Sequence, residues 1–434
     1  MGTGIFDKLL ASLKAAGDTL PDKRRSGGNL KYSLLDGILS AFAVFFFQHP
    51  SLLNFQRAMK ERKKRNNLET LFGVSGIPSD NKIRSLLDQI PPQSLAMVFE
   101  QSLKTAEQAG AIKPYRILDG GVLLALDGLW YYSSQQIHCS QCLRRTHEGE
   151  TTYYHSAVAG AIVRPGNTSV LPVMAEPIYN EDGFEKQDSE LAAGKRWLLA
   201  HGQEYQWLKV TLLGDDLYSN QPFCQLALQQ KMSFIFTCKP SSHPWLRETV
   251  EQSFVKEKVV RQWTGRHHQT STYQWINGVP LRDSKDALMV NYLSLRILNE
   301  KTGKVSYTNC WVTDKQITEE NVEHLASCGR ARWKIENEHH NVLKNRGYHL
   351  EHNFGHGKKH AAQIFLLLNL LAFQFHTILD ICDGEYQKAR ASVGRRDSYF
   401  HHVQAALRYA LHEKTWRDFL IFVRGEDGHN EKRE

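Results

Sequence analysis

Apolar and polar positions change their period along the chain, and those changes divide its 434 residues. From 31 to about 110, apolar residues recur every three or four positions, as on helices. "YSLLDGILSAFAVFFFQ" predicts a buried helix, and "SLLNFQRAMKERKKRNN" a helix that begins apolar and ends basic. "LETLFGVSGIPSDNKIRSLLDQI" predicts a short helix, a glycine-containing turn and a second helix capped by Ser79 or Asp80. That layout suits a helix-turn-helix whose second helix enters a major groove, with Lys82 and Arg84 in its first turns.

From about 115 the texture is that of strands: "GVLLALDGLWYYSS" (121–134), "TTYYHSAVAGAIV" (151–163) and "TSVLPVMAEPI" (168–178). A helix (187–202), a strand (207–219), the helix "QPFCQLALQQ" and a fifth strand (232–239) follow. A three-strand meander followed by αβαβ units implies an α/β fold, a mixed sheet flanked by helices. Residues 240–305 are turn-rich and then strand-like, which predicts a β-rich insertion. A helix over 318–345 and an apolar helix over 361–380 come next, then a charged tail expected to be disordered at its tip. The predicted units are 1–112 (all-α, DNA-binding), 113–239 (first part of the core), 240–308 (β-rich insertion), 309–380 (second part of the core) and 381–434 (tail).

Composition adds a partner. Apolar residues make up 41% and charged residues 23%, the mix of a globular protein, while the net charge of +8 favours a polyanion, nucleic acid first. Lys60, Arg62, Lys63, Lys64 and Arg65 form a nearly continuous basic cluster, with a smaller one at 21–25. The longest apolar runs, 41–47 and 364–375, fall short of the roughly 18–20 residues of a membrane span. The N-terminus lacks the apolar core of a signal peptide and the seven cysteines are scattered, so the expectation is a cytoplasmic protein without a membrane partner.

The chemistry concentrates in carboxylates. Asp127 follows the apolar run "LLAL" and Asp215 follows "VTLLG", which places both where a strand leaves a buried sheet, the rim at which open α/β sheets hold ligands. In "ARWKIENEHHNVLKNRGYHLEH", Arg332, Glu336, His340 and Lys344 recur every four residues and form one polar stripe on a helix. Three carboxylates that converge repel one another unless a cation sits between them, and oxygen ligands suit Mg²⁺ or Mn²⁺. Two such ions about 3.5–4 Å apart activate an attacking oxygen and stabilise a leaving oxygen of a phosphodiester. Arg332 and Lys344 would then hold DNA phosphates, and His340 would contact the scissile strand or a water. Asp216 is the fallback for Asp215 and Glu338 for Glu336, and Asp119 competes with Asp127.

"LALDG", "LLGDDLYSN" and "RARWKIENEHHNVLK", with "PSDNKIRSLLDQI", "EPIYNEDGFEKQDSE" and "GYHLEHNFGHGKKH", resemble bacterial insertion-sequence transposases of the DDE type with a Tyr-Arg-Glu-Lys signature helix. The resemblance spans roughly residues 30–380. It implies an RNase H-like core with a β-rich insertion, and metal-dependent cleavage of transposon ends followed by strand transfer into target DNA. It implies Asp127, Asp215 and Glu336 as catalytic metal ligands, Arg332 as the signature arginine, and double-stranded DNA bound by a homodimer in a synaptic complex. Two positions depart from the pattern: Gly329 stands where the tyrosine belongs, and Lys344 comes one residue after the expected position, Leu343. The resemblance also suggests that Trp263 or Trp275 in the insertion stacks on a flipped base. A metal-dependent endonuclease without strand transfer and a DNA-binding protein with an inactive site are the alternatives.

Cys139-x2-Cys142, with His147 and His155 nearby, has zinc-like spacing but lacks the regularly spaced second pair of a strong signal. His352, His356 and His360 are spaced by four, yet Gly355 and Gly357 argue against a helix there, and a phosphate-contacting loop is expected. No HExxH, phosphate-cradling glycine loop or GxSxG is present, which leaves metalloprotease, NTPase and serine hydrolase without support.

Overall fold

The computed structural model describes residues 4–20, 22, 24, 30–60, 67–182, 186–253, 257–263, 268–409 and 413–425. Six helices come first: α1 (Ile5–Asp18), α2 (Leu34–Phe46), α3 (Leu52–Lys60), α4 (Asn67–Phe72), α5 (Asp80–Leu87) and α6 (Ala96–Gln108). Ser33 caps α2 through a reciprocal pair with Asp36, and Ser79 caps α5, its hydroxyl accepting from the Lys82 N–H.

The strands β1 (Leu123–Ser134), β2 (Leu143–His147), β3 (Glu150–Val163) and β4 (Leu171–Pro177) follow, then α7 (Lys186–His201), β5 (Thr211–Gly214), α8 (Gln221–Gln229) and β6 (Ser233–Thr237). The next segment holds α9 (Pro244–Gln252), β7 (Glu257–Trp263), β8 (Gln269–Pro280), β9 (Met289–Asn299) and β10 (Lys304–Thr313). These strands form one ten-stranded mixed sheet in the order β2-β3-β1-β5-β6-β10-β9-β8-β7, with β4 also on β3. β3 runs antiparallel to β1 and β4 antiparallel to β3, whereas β5 is parallel to β1 and β6 to β5. The expected meander and αβαβ units are therefore present. The β-rich segment is not a separate body: β10 pairs antiparallel with β6 at Trp311–Thr313 and carries the sheet onward.

The chain closes with α10 (Val322–Arg330), an irregular helical stretch, α11 (Asn341–Asn345), α12 (Ala361–Cys382), α13 (Gly384–Val393), α14 (Arg396–Tyr409) and α15 (Trp416–Val423). α12 is long and apolar enough to cross a membrane, but 89% of its most apolar window is buried inside the protein. A helix apolar all round belongs in a core, and α12 lies between β4 and α2. Three of its polar side chains tie it to its neighbours: Gln374 donates to the Pro172 carbonyl, Asn369 to the Tyr348 carbonyl, and His376 bridges the Phe46 carbonyl and the Tyr348 hydroxyl. The N-terminal helices share this core, with the Phe42 and Phe375 rings in edge contact.

One expectation is corrected. The charged segment from 381 is not a tail through Val423 but three helices, which bury Tyr386, Tyr399, Phe400, Trp416, Phe419 and Leu420. Trp416 stacks on Phe6 of α1 at 4.3 Å, so α15 packs against α1. Abundant surface charge concealed these apolar stripes. The tip, 426–434, lies outside the described residues.

Candidate active site

β1 and β5 pair in parallel as Leu123–Thr211, Leu124–Leu212 and Ala125–Leu213. Two residues further along each strand stand Asp127 and Asp215. They share the same parity and the same level, so both side chains leave one face of the sheet where the strands part. Asp127 is still paired to β3, opposite Ala159. Asp215 caps a 3₁₀ turn over Asp216–Tyr218, its Oδ1 accepting the Leu217 N–H at 3.0 Å.

Burial pushes the Asp215 carboxyl above its ordinary range; the Leu217 N–H opposes this, Asp127 and Asp216 add to it by repulsion, and Arg332 opposes it. Asp127 and Arg332 therefore both lie within electrostatic reach of Asp215. A buried carboxylate raised by a like neighbour is the arrangement a cation relieves.

The helical stretch after α10 passes over this pair. Its residues Ile335–His340 form a π-helix that packs on β1 and β3. Arg332 Nη2 lies 2.7 Å from Glu336 Oε1, and His340 Nε2 lies 3.5 Å from Asp127 Oδ2 without hydrogen-bond geometry. His340 Nδ1 is 2.9 Å from Nδ1 of His339, a buried imidazole held well below its ordinary pKa by burial and by His340. Arg332 thus faces Asp215 and His340 lies by Asp127, while Glu336 is held by Arg332. The fourth stripe residue, Lys344, pairs with Glu351 at 2.8 Å.

The π turn lies within this stripe. Such a turn closes i→i+5 bonds and takes up one residue more than an α turn. The eight positions from Glu336 to Lys344 run through this wider turn. Gly329 is explained by contact: a Cβ there would lie 2.7 Å from Nε1 of the buried Trp311. No tyrosine fits at that position.

The fallback acids are occupied elsewhere. Asp216 accepts the Lys239 N–H and the Ser242 hydroxyl and holds that loop. Glu338 lines a separate cavity of about 600 Å³ with Arg346, Asp380 and Arg396. Asp119 precedes β1, whereas Asp127 lies within it, and Asp119 pairs with Lys315 at 2.7 Å.

Sequence reasoning missed Glu190 of α7, which is 6% exposed. It accepts the Tyr218 hydroxyl at 3.1 Å, and a Cβ on Gly128 would lie 2.4 Å from its Oε2. Glycine after Asp127 thus lets a further carboxylate approach. Only the stretch "EPIYNEDGFEKQDSE" contained Glu190, and its spacing did not single it out.

The carboxylates do not close up completely. Among the described residues, the one group of three or more potential metal ligands with atoms within 4.8 Å of one another is Cys139, Cys142, His155 and His356. His147, expected there, is exposed at the end of β2, and His356 takes its place from the loop before α12. That loop is not helical, as its glycines implied.

Other expected DNA contacts divide. Lys82 is partly exposed on α5, but Arg84 is drawn inward: its Nε donates to the Phe354 carbonyl at 2.7 Å and its Nη1 to Asp80 at 2.9 Å. Lys60 ends α3, and Arg62, Lys63, Lys64 and Arg65 lie outside the described residues. Trp275 is 2% exposed and belongs to the core, whereas Trp263 is 66% exposed. No family model matches the chain, and a search of curated proteins finds no match.

Proposed function

We propose that this chain is a DNA transposase of the DDE type, which cleaves transposon ends and transfers the freed strand into target DNA. The observation that carries this reading is the register that sets Asp127 and Asp215 level on adjacent parallel strands, beneath the helix bearing Arg332, Glu336 and His340. The strand arrangement, an antiparallel meander joined to two parallel strands with helices on the sheet, supports an RNase H-like core.

A divalent metal centre here would require Asp127, Asp215 and Glu336, which form no close ligand group among the described residues, to draw together around the ions. Asp215 is raised by burial and by Asp127, and Glu336, half-exposed, is paired with Arg332. Asp127, Asp215 and Glu336 would hold Mg²⁺ or Mn²⁺, and the ions would supply activation of the attacking oxygen and stabilisation of the leaving one. Glu336 exchanges Arg332 for the metal site. Arg332, released, pairs with a backbone phosphate, for which a guanidinium fork is suited. His340 stays beside Asp127 and orients its carboxylate. Lys82 and the basic segment 60–65 supply sequence-independent phosphate contacts. Cutting two transposon ends in one complex calls for a dimer.

The test is incubation of the purified protein with Mg²⁺, DNA carrying the inverted repeats that flank its gene, and a target plasmid. The expected products are nicks at the repeat ends and covalently joined repeat–plasmid DNA. Nicks without joining would leave an endonuclease, and neither product from folded protein would overturn the reading.

A further inference from the structure

Away from the acids, four side chains from three chain segments point at one spot. Cys139 and Cys142 lie in the loop between β1 and β2, His155 on β3, and His356 in the loop before α12. Cys142 and His155 are buried, and the other two partly so. The Sγ atoms are 3.6 Å apart, too far for a disulfide and close for two unlinked thiols. His155 Nε2 lies 3.5 Å from Cys139 Sγ and 3.4 Å from Cys142 Sγ. His356 Nδ1 lies 3.7 Å from Cys142 Sγ and 3.1 Å from His155 Nε2.

Those separations match five of the six edges of a tetrahedron, and the sixth, from Cys139 to His356, is within 4.8 Å. Zn–S bonds of ~2.3 Å and Zn–N bonds of ~2.0–2.1 Å put ligand atoms ~3.8 Å apart for S···S, ~3.6 Å for S···N and ~3.3 Å for N···N. The five separations above agree with these values to within ~0.3 Å, near the tolerance expected of a metal site. The surroundings orient the ligands. The Cys139 N–H points at Cys142 Sγ at 3.4 Å, the Tyr131 ring stacks on His155, and the Tyr132 ring meets His356 edge-on at 4.3 Å.

We propose that Cys139, Cys142, His155 and His356 bind one Zn²⁺ ion in a closed tetrahedral site that clamps the loop before α12 to the sheet. With four protein ligands the site keeps no open position, so its role is structural. The same loop is gripped from its other side by α5 and the residue after it. Arg84 holds the Phe354 carbonyl, and the Asp88 carboxylate accepts the N–H groups of Lys358, Lys359, His360 and Ala361. The ion would therefore couple the N-terminal helices to β3, four residues from the Ala159 that pairs with Asp127. This site does not depend on the proposed activity.

The experiment is metal analysis of the full chain purified under reducing conditions without added zinc. About one zinc per chain is expected. Co²⁺ exchanged into the protein should give the visible absorption of a tetrahedral thiolate site. Cys142→Ser and His356→Asn should lose the metal, while His147→Asn should retain it. Should the first two fail to fold, chelation of the unaltered protein supplies the test: zinc release should expose two further reactive thiols and lower the melting temperature. Protein free of zinc that neither takes up Zn²⁺ nor gains stability from it would overturn the proposal. So would zinc retained by both substituted proteins, or a disulfide between Cys139 and Cys142.

Discussion

Asp127 and Asp215 stand level on neighbouring parallel strands, each two residues past the last paired position, Ala125 opposite Leu213. The register of β1 and β5 sets the level of Asp127 and brings the chain to Asp215 just past the end of β5. Asp127→Asn, Asp215→Asn and Glu336→Gln should each reduce Mg²⁺-dependent strand cleavage by more than ~100-fold, beyond the loss typical of residues that only support a metal ligand. Binding to end DNA should persist in a gel-shift assay. Undiminished cleavage by any of the three removes that residue from the site.

Arg84 and Lys82 share a helix but should respond differently. Arg84→Ala breaks charged hydrogen bonds to Phe354 and Asp80, so it should cost ~1.5–3 kcal/mol of stability in chemical denaturation. Lys82→Ala should leave stability within ~0.5 kcal/mol. It should weaken DNA binding about equally across sequences and lower the salt slope by ~1. Equal stabilities for the two substituted proteins would contradict this division.

Asp36 predicts a pH dependence. It is 4% exposed and accepts from the N–H and hydroxyl of both Ser33 and Ser75. Burial alone would raise its pKa; these hydrogen bonds win and hold it below the ordinary 3.8. A lowered folded-state pKa gives stability that is complete above the unfolded value and is lost as pH falls through the folded one. Asp36→Asn should cost ~1–3 kcal/mol at pH 7. That deficit should narrow in thermal melts taken progressively below pH 4, and a deficit that stayed constant there would refute the assignment.

The π turn offers a test by deletion. Removing exposed Asn337 should convert Ile335–His340 to an α turn and leave α10 and α11 in their present orientations. Circular dichroism should then show a folded protein with an equal or higher melting temperature. Removing Ala326 from regular α10 instead rotates all that follows by about 100°, and should unfold the protein. Collapse of the Asn337 deletion would show that the wide turn is not a one-residue insertion.

Much of this molecule was legible in the sequence because the deciding interactions are local. The switch from a helical to a strand period marked β1, β3, β4, β5 and β6 and placed Asp127 and Asp215 at the ends of apolar runs. Ser79 announced the start of α5, and Gly355 and Gly357 ruled out a helix around His356. Local signals failed where a partner is remote. Gly329 stood unexplained until Trp311 proved to occupy the space of its missing side chain. The helices after 381 were hidden because charge dominates their composition while only one stripe of each is buried.

The sequence by itself determined the periods, caps and apolar runs, since these depend on neighbours within a few positions. Only the tertiary structure decided which strands lie side by side, and therefore that Asp127 meets Asp215, that Glu190 slips in beside Gly128, and that His356 rather than His147 completes the Cys139–Cys142 cluster. The physical reason is that β pairing and loop docking join residues far apart in the chain, as Arg84 and Phe354 are by 270 positions, and their energy comes from burying faces together, which no short window of sequence contains.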